Sequence, residues 1–129
     1  LNKYKNIFLK IDIEGYEFIL FNSLSINQLK NIKQIVAEFH WPDTEEKWHA
    51  LQKLAHTHYL VHYHANNNNP VLYNINYKTI PAVFECTYVR KDLLDNPGLN
   101  KEPFPTKLDA RNTYGKLDYL IDCPPWVHK

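Results

Sequence analysis

The run Ile7 to Leu20, IFLKIDIEGYEFIL, constrains this chain more than any other stretch. Ile7, Phe8, Leu9, Ile11 and Ile13 are β-branched or bulky, and only Lys10 and Asp12 interrupt them, the pattern of a strand buried on both faces of a parallel sheet. Gly15 ends that pattern. Beyond it Tyr16, Ile19, Leu20 and Ser23 recur at three- and four-residue spacing, which predicts a helix. A strand, a glycine turn and a helix in this order put Asp12 and Glu14 at the carboxyl end of a strand, the edge where open α/β sheets bind ligands. A buried strand has no structural need for acids there, because an unpaired buried charge is costly. The plain alternative is a buried strand with a solvated end.

Downstream, the signals alternate between the two periods. The helical pattern continues to about residue 32, with Ser25 as N-cap of a short turn carrying Leu29 and Ile32. Lys33 to Trp41, KQIVAEFHW, reads as a second strand with Glu38 and His40 at its carboxyl end. Pro42 and Asp43 stop it, and Thr44 caps a helix whose first turn holds Glu45 and Glu46 and whose apolar stripe is Trp48, Leu51, Leu54 and Ala55. His49, His56 and His58 are expected in solvent. Tyr59 to His64 is a third strand, and strict alternation puts Leu60, His62 and His64 on one face. A polar loop follows at 65–69, then a hairpin arm at 71–76. Lys78 to Pro81 leads into a last strand, Ala82 to Arg90, where Glu85 is an acid in mid-strand that needs a partner or a polar cavity. Periodicity fades from Lys91, and five of the eight prolines lie from Pro97 onward, so 93–129 is expected to be an extended tail packed on a domain formed by 1–92.

Composition excludes several classes of function. The 129 residues are enough for one modest core, and 44% hydrophobic with 22% charged residues is a globular balance. A net charge of +1 argues for neither nucleic acid nor membrane surface as partner. No apolar run approaches the ~20 residues of a spanning helix, and the first residues lack a signal-peptide core. The two cysteines, Cys86 and Cys123, make neither a disulfide framework nor a zinc quartet, which favours a reducing, cytoplasmic setting. Asp12, Glu14, Glu38, His62 and His64 could serve a metal, but nothing in the spacing brings them together, so none is expected.

LKIDIEGYE resembles the strand-4 signature of FkbM-type methyltransferases, K-[IV]-D-[VI]-E-G-x-E, with Lys10, Asp12, Glu14, Gly15 and Glu17 in register. The apolar run closed by Glu38 and His40 is similar to the family's fifth strand, and His64, Asn66 and Asn67 to its H-x-N-N segment. Ile80, Pro81, Glu85, Thr87, Tyr88, Val89 and Arg90 resemble a further stretch of the same family, so the likeness covers roughly residues 6 to 92. The resemblance implies the carboxyl-terminal half of a class I, Rossmann-like methyltransferase sheet, mostly parallel, with an antiparallel final strand inserted between its neighbours. It implies S-adenosylmethionine as cofactor and a small-molecule acceptor, a sugar hydroxyl or similar. Asp12 and His40 would be the catalytic pair, with Asp12 also at the edge of the cofactor crevice, and Glu14, Glu38, His64, Asn66, Asn67 and Glu85 would surround the acceptor.

Class I enzymes hold that cofactor through a glycine-rich loop and an acid after their first two strands. The three glycines here, Gly15, Gly98 and Gly115, form no G-x-G. Together with the missing methionine, this implies a fragment inactive alone. A non-catalytic α/β binding module and a glycosidase fragment, whose strands also end in paired carboxylates, are the alternatives.

Overall fold

The computed structural model describes residues 2–75 and 78–129. Among the described residues six strands and three α-helices form: β1 (Ile7–Ile11), α1 (Glu17–Ser23), α2 (Ile26–Leu29), β2 (Ile32–His40), α3 (Glu45–Thr57), β3 (His58–Ala65), β4 (Val71–Ile75), β5 (Lys78–Pro81) and β6 (Val83–Arg90). The main sheet has the order β1-β2-β6-β3. β1 and β2 run parallel, and β6 lies antiparallel between β2 and β3, so β1, β2 and β3 point one way and β6 the other. The expected insertion of an antiparallel last strand is therefore present in a mixed α/β sheet. β4 and β5 pair as a separate hairpin, so Lys78 to Pro81 is a strand of its own, and Asn76, at the end of the expected hairpin arm, lies outside the described residues.

Cross-strand register sorts the side chains. Leu9 and Ile11 of β1 share a face with Ile35, Ala37 and Phe39 of β2 and with Phe84, Cys86 and Tyr88 of β6. Phe18 and Phe21 of α1 lie against Phe39 on that face, at ring separations of 5.1 and 5.8 Å, and Leu54 of α3 is buried in the same core. The opposite face carries Phe8 and Lys10, and Phe8 is 60% exposed. β1 is thus not buried on both faces as the apolar run suggested. Among the described residues it has a single strand neighbour, and its odd-numbered side chains meet the core.

The helical stripe also differs from the expected one. Tyr16 and Ile19 are exposed, while Glu17, Phe18 and Phe21 turn inward, so the buried face lies one position along the helix. Ser25 caps α2 as expected, in a full capping box with Gln28. Thr44 caps α3 by accepting from the Lys47 amide at 3.3 Å. His58 is buried rather than solvated: its Nε2 meets the Ile32 carbonyl at 2.9 Å and its Nδ1 the Thr57 hydroxyl at 2.7 Å, which ties the start of β3 to the start of β2.

Strict alternation fails in β3. Leu60 pairs with Tyr88 and His62 with Thr87, so Val61 is bulged out and the phase shifts by one. Leu60 consequently lies on the face opposite His62 and His64, whereas the two histidines do share one. Arg90 closes the far end of the sheet, donating to Asp92, to the Lys30 carbonyl and to Asn6. Beyond residue 93 the chain adds Phe104, Ile121, Trp126 and Val127 to the same core, with Trp126 stacked on Tyr63 at 4.0 Å.

Candidate functional site

The carboxyl ends of β1 and β2 meet at residues 12–17, and the backbone there is shaped for a tight turn. Glu14 (φ 54°) and Gly15 (φ 103°) both take left-handed conformations, one of which only glycine adopts without strain. Glu17, fully buried at the start of α1, holds the turn from below: its Oε1 accepts from the Ile13 amide at 2.9 Å and its Oε2 from the Gly15 amide at 3.1 Å.

Glu17 also fixes His40. The imidazole Nδ1 lies 3.1 Å from Glu17 Oε1, and a carboxylate only accepts, so Nδ1 carries the hydrogen and Nε2 is left facing outward. Three further carboxylates surround that nitrogen: Glu14 Oε2 at 3.5 Å, Glu38 Oε2 at 3.7 Å and Asp12 Oδ1 at 3.9 Å. These spacings exceed a hydrogen bond. His40 and Glu38 are largely covered, with side chains 11% and 16% exposed, whereas Asp12 at 48% and Glu14 at 83% face solvent. Burial pushes the Glu38 carboxyl above its ordinary pKa and the Asp12 carboxylate adds to this, while the Asn66 amide, donating at 2.9 Å, works against it. Asp12, Glu17 and His40 each offer a metal-ligating atom, all within 4.8 Å of one another.

Of the residues read from sequence, Asp12, Glu14, Glu38, His40 and Asn66 come together here. His64, Asn67 and Glu85 do not join them around the same opening. Glu38, Glu85 and His64 form one row across β2, β6 and β3, but Glu85 and His64 are turned to the chain beyond residue 100. His64 Nδ1 stands 3.8 Å from Glu85 Oε2 and Nε2 3.4 Å from Asp118 Oδ2, ion-pair rather than hydrogen-bond distances. The Glu85 carboxylate raises the His64 pKa against the effect of burial, and His64 in turn lowers that of Glu85. Asn112 donates to Glu85 at 3.2 Å. Asn67, buried, accepts from the Thr113 amide and donates to the Thr113 and Lys116 carbonyls. His62 pairs with Asp109 at 2.7 Å. Burial pushes the Asp109 carboxyl up, but the Thr106 and His62 donors outweigh it and hold it below the usual range. The mid-strand acid Glu85 has its partners, and they dock the tail.

Glu17 and Asp118 escaped sequence reasoning for different reasons. Glu17 sits in the first turn of a helix, where an acid is explained by the helix dipole alone, although its place two residues after D-x-E-G was a signal. Asp118 lies where no periodicity assigns a face.

No curated protein and no solved structure matches the chain. Residues 2–67, however, match the methyltransferase FkbM domain, a span that holds β1 through β3 and every residue of the His40 cluster. It ends before the Ile80 to Arg90 run, so that second resemblance lies outside the match. On this match, over half of its length, the chain belongs to the FkbM methyltransferase family.

Proposed function

We propose that this chain forms the acceptor side of an S-adenosylmethionine-dependent O-methyltransferase that methylates a hydroxyl of a sugar or similar small metabolite. The observation that carries it is the family's D-x-E-G-x-E motif folded so that Asp12 projects into solvent at the carboxyl end of β1, with His40 and Glu17 behind it. The cofactor supplies an electrophilic methyl on a sulfonium; exposed carboxylates suit that cation, but the chain has no G-x-G to hold the rest of the molecule. The free edge of β1 fits a Rossmann-like sheet continued by strands that bring such a loop. Asp12 then orients the acceptor hydroxyl and takes its proton as oxygen attacks. His40, whose Nε2 faces the same opening 3.9 Å from Asp12 Oδ1, assists it. Two free thiols fit a reducing compartment such as the cytoplasm.

The test is methyl transfer from labelled S-adenosylmethionine to a panel of hydroxylated acceptors, by the protein in which this sequence follows a G-x-G strand. Asp12→Asn should lower the rate by about a hundredfold, the scale of a lost general base, with cofactor affinity little changed. Transfer at an unchanged rate would remove Asp12 from the mechanism, and the absence of any hydroxyl acceptor would overturn the assignment.

A further inference from the structure

Residues 105–120 form a loop that closes on itself. Phe104 and Ile121 join its ends in an antiparallel bridge, amide to carbonyl at 3.0 and 2.9 Å, and both of their side chains lie in the core. Between these anchors no residue is buried, and Leu108, Tyr114 and Leu117 are largely in solvent. Polar contacts hold the loop down: Asp109 on His62, Asn112 on Glu85, the Thr113 and Lys116 backbone on Asn67, and Asp118 beside His64. The Tyr119 hydroxyl adds a bond to the Asn69 carbonyl. A segment with firm ends and no buried side chain of its own belongs to the low-stability part of a fold, where one protonation can decide between docked and open.

His62 and His64 meet the loop differently. His62 turns one nitrogen to a carboxylate, Nε2 to Asp109 at 2.7 Å, a bond that the neutral ring makes as well as the charged one. His64, with its side chain 6% exposed, turns both: Nδ1 to Glu85 Oε2 of β6 at 3.8 Å and Nε2 to Asp118 Oδ2 of the loop at 3.4 Å. A neutral imidazole aims a lone pair at one of these acids, and only the imidazolium attracts both. Asp109 adds a third negative charge to its surroundings, and Asn112, on Glu85, is neutral. Among the described residues no lysine or arginine pairs with Glu85, Asp109 or Asp118. His64 Nε2 and Asp118 Oδ1 are buried without a hydrogen bond, so charge attraction is what joins Asp118 to the sheet. We propose that 105–120 is a hinged lid, shut on the sheet by His64 in its imidazolium form and opening about the Phe104–Ile121 bridge when His64 gives up that proton. The carboxylates raise the His64 pKa over the opposing effect of burial, so the lid is shut below that raised value and opens as pH climbs through it. The shut lid holds Asn67, whose neighbour Asn66 donates to Glu38 at 2.9 Å, so opening loosens the support of Glu38. What this does to an acceptor rests on the methyltransferase assignment; the lid itself does not.

The test needs neither cofactor nor acceptor. Nuclear magnetic resonance of the whole chain, titrated across the histidine range, follows the His64 ring, the Thr113 amide that donates to Asn67, and the amides of β6 as a fixed reference. The Thr113 amide should lose its hydrogen-bonded shift, and 109–118 their rigid relaxation, at the pH where His64 titrates, with β6 unchanged. Asp118→Asn keeps the shape of the loop and removes its charge, so the His64 and Thr113 midpoints should fall together by about one pH unit. His64→Gln, shown to be folded by its β6 resonances, should abolish the transition at Thr113. His49→Gln, on the exposed Glu45–His49 pair, should leave it in place. A Thr113 amide that stays unchanged while His64 titrates, midpoints that do not move in Asp118→Asn, or the same transition in His64→Gln would overturn the lid.

Discussion

Two buried histidines show how one residue type acquires opposite properties from its surroundings. His58 is held neutral by burial, which lowers its pKa against the pull of the Ile32 carbonyl. His64 is raised by Glu85. Between the folded pKa of His58 and about 6.5 the unfolded chain binds more protons at this position, so its contribution is complete above 6.5 and is lost as pH falls. For His64 the folded state binds more, so its contribution is complete below 6.5 and is lost as pH rises through the folded pKa. Urea unfolding across this range should therefore show a loss on the acid side that disappears in His58→Gln and a loss on the alkaline side that disappears in His64→Gln. Matching profiles for the two variants would contradict these environments.

Among the elements, β1 is the one whose sequence and position disagree. It is apolar enough for an interior strand, yet among the described residues it pairs with β2 alone and leaves Phe8 exposed beside an edge that no described strand covers. Such an edge is a template for association. Phe8→Lys places a charge on this exposed face at little cost to the core, because the side chain packs against no buried group of the α-helical layer. Sedimentation of the isolated chain should show self-association that Phe8→Lys reduces. A monomer at all concentrations before substitution would mean that the edge is protected.

For the whole molecule, cohesion depends on chain distant in sequence. Trp126 stacks on Tyr63 at 4.0 Å and approaches Phe84 at 5.6 Å, so the last residues of the chain cover two neighbouring strands of the sheet. Around them the His62–Asp109 pair and the Asn67 contacts fasten 109–116 to β3 and the loop after it. Trp126→Ala should cost about 3 to 5 kcal/mol, the range for a buried aromatic deletion, as measured by denaturant unfolding. A loss below about 1 kcal/mol would make the tail an ornament rather than part of the core.

The sequence by itself determined the local choices. Period and capping chose strand or helix for the segments of the main sheet and its helices, Ser25 and Thr44 marked helix starts, and Asp12, Glu14, Glu38 and His40 were placed at strand ends because polar residues there follow directly from where an apolar run stops. The family motif was legible for the same reason, being contiguous. Tertiary structure alone decided what those ends face. Whether β1 was covered depended on its neighbours and not on its own apolarity. The Val61 bulge, which reset the phase of β3, arises from pairing with β6 and has no signature in a run that alternates cleanly. Glu17 became the centre of the site only because α1 turns it inward beneath the β1–α1 turn. Glu85, His64 and Asn67 received their partners from residues 27 to 54 positions further on, beyond the reach of any local pattern.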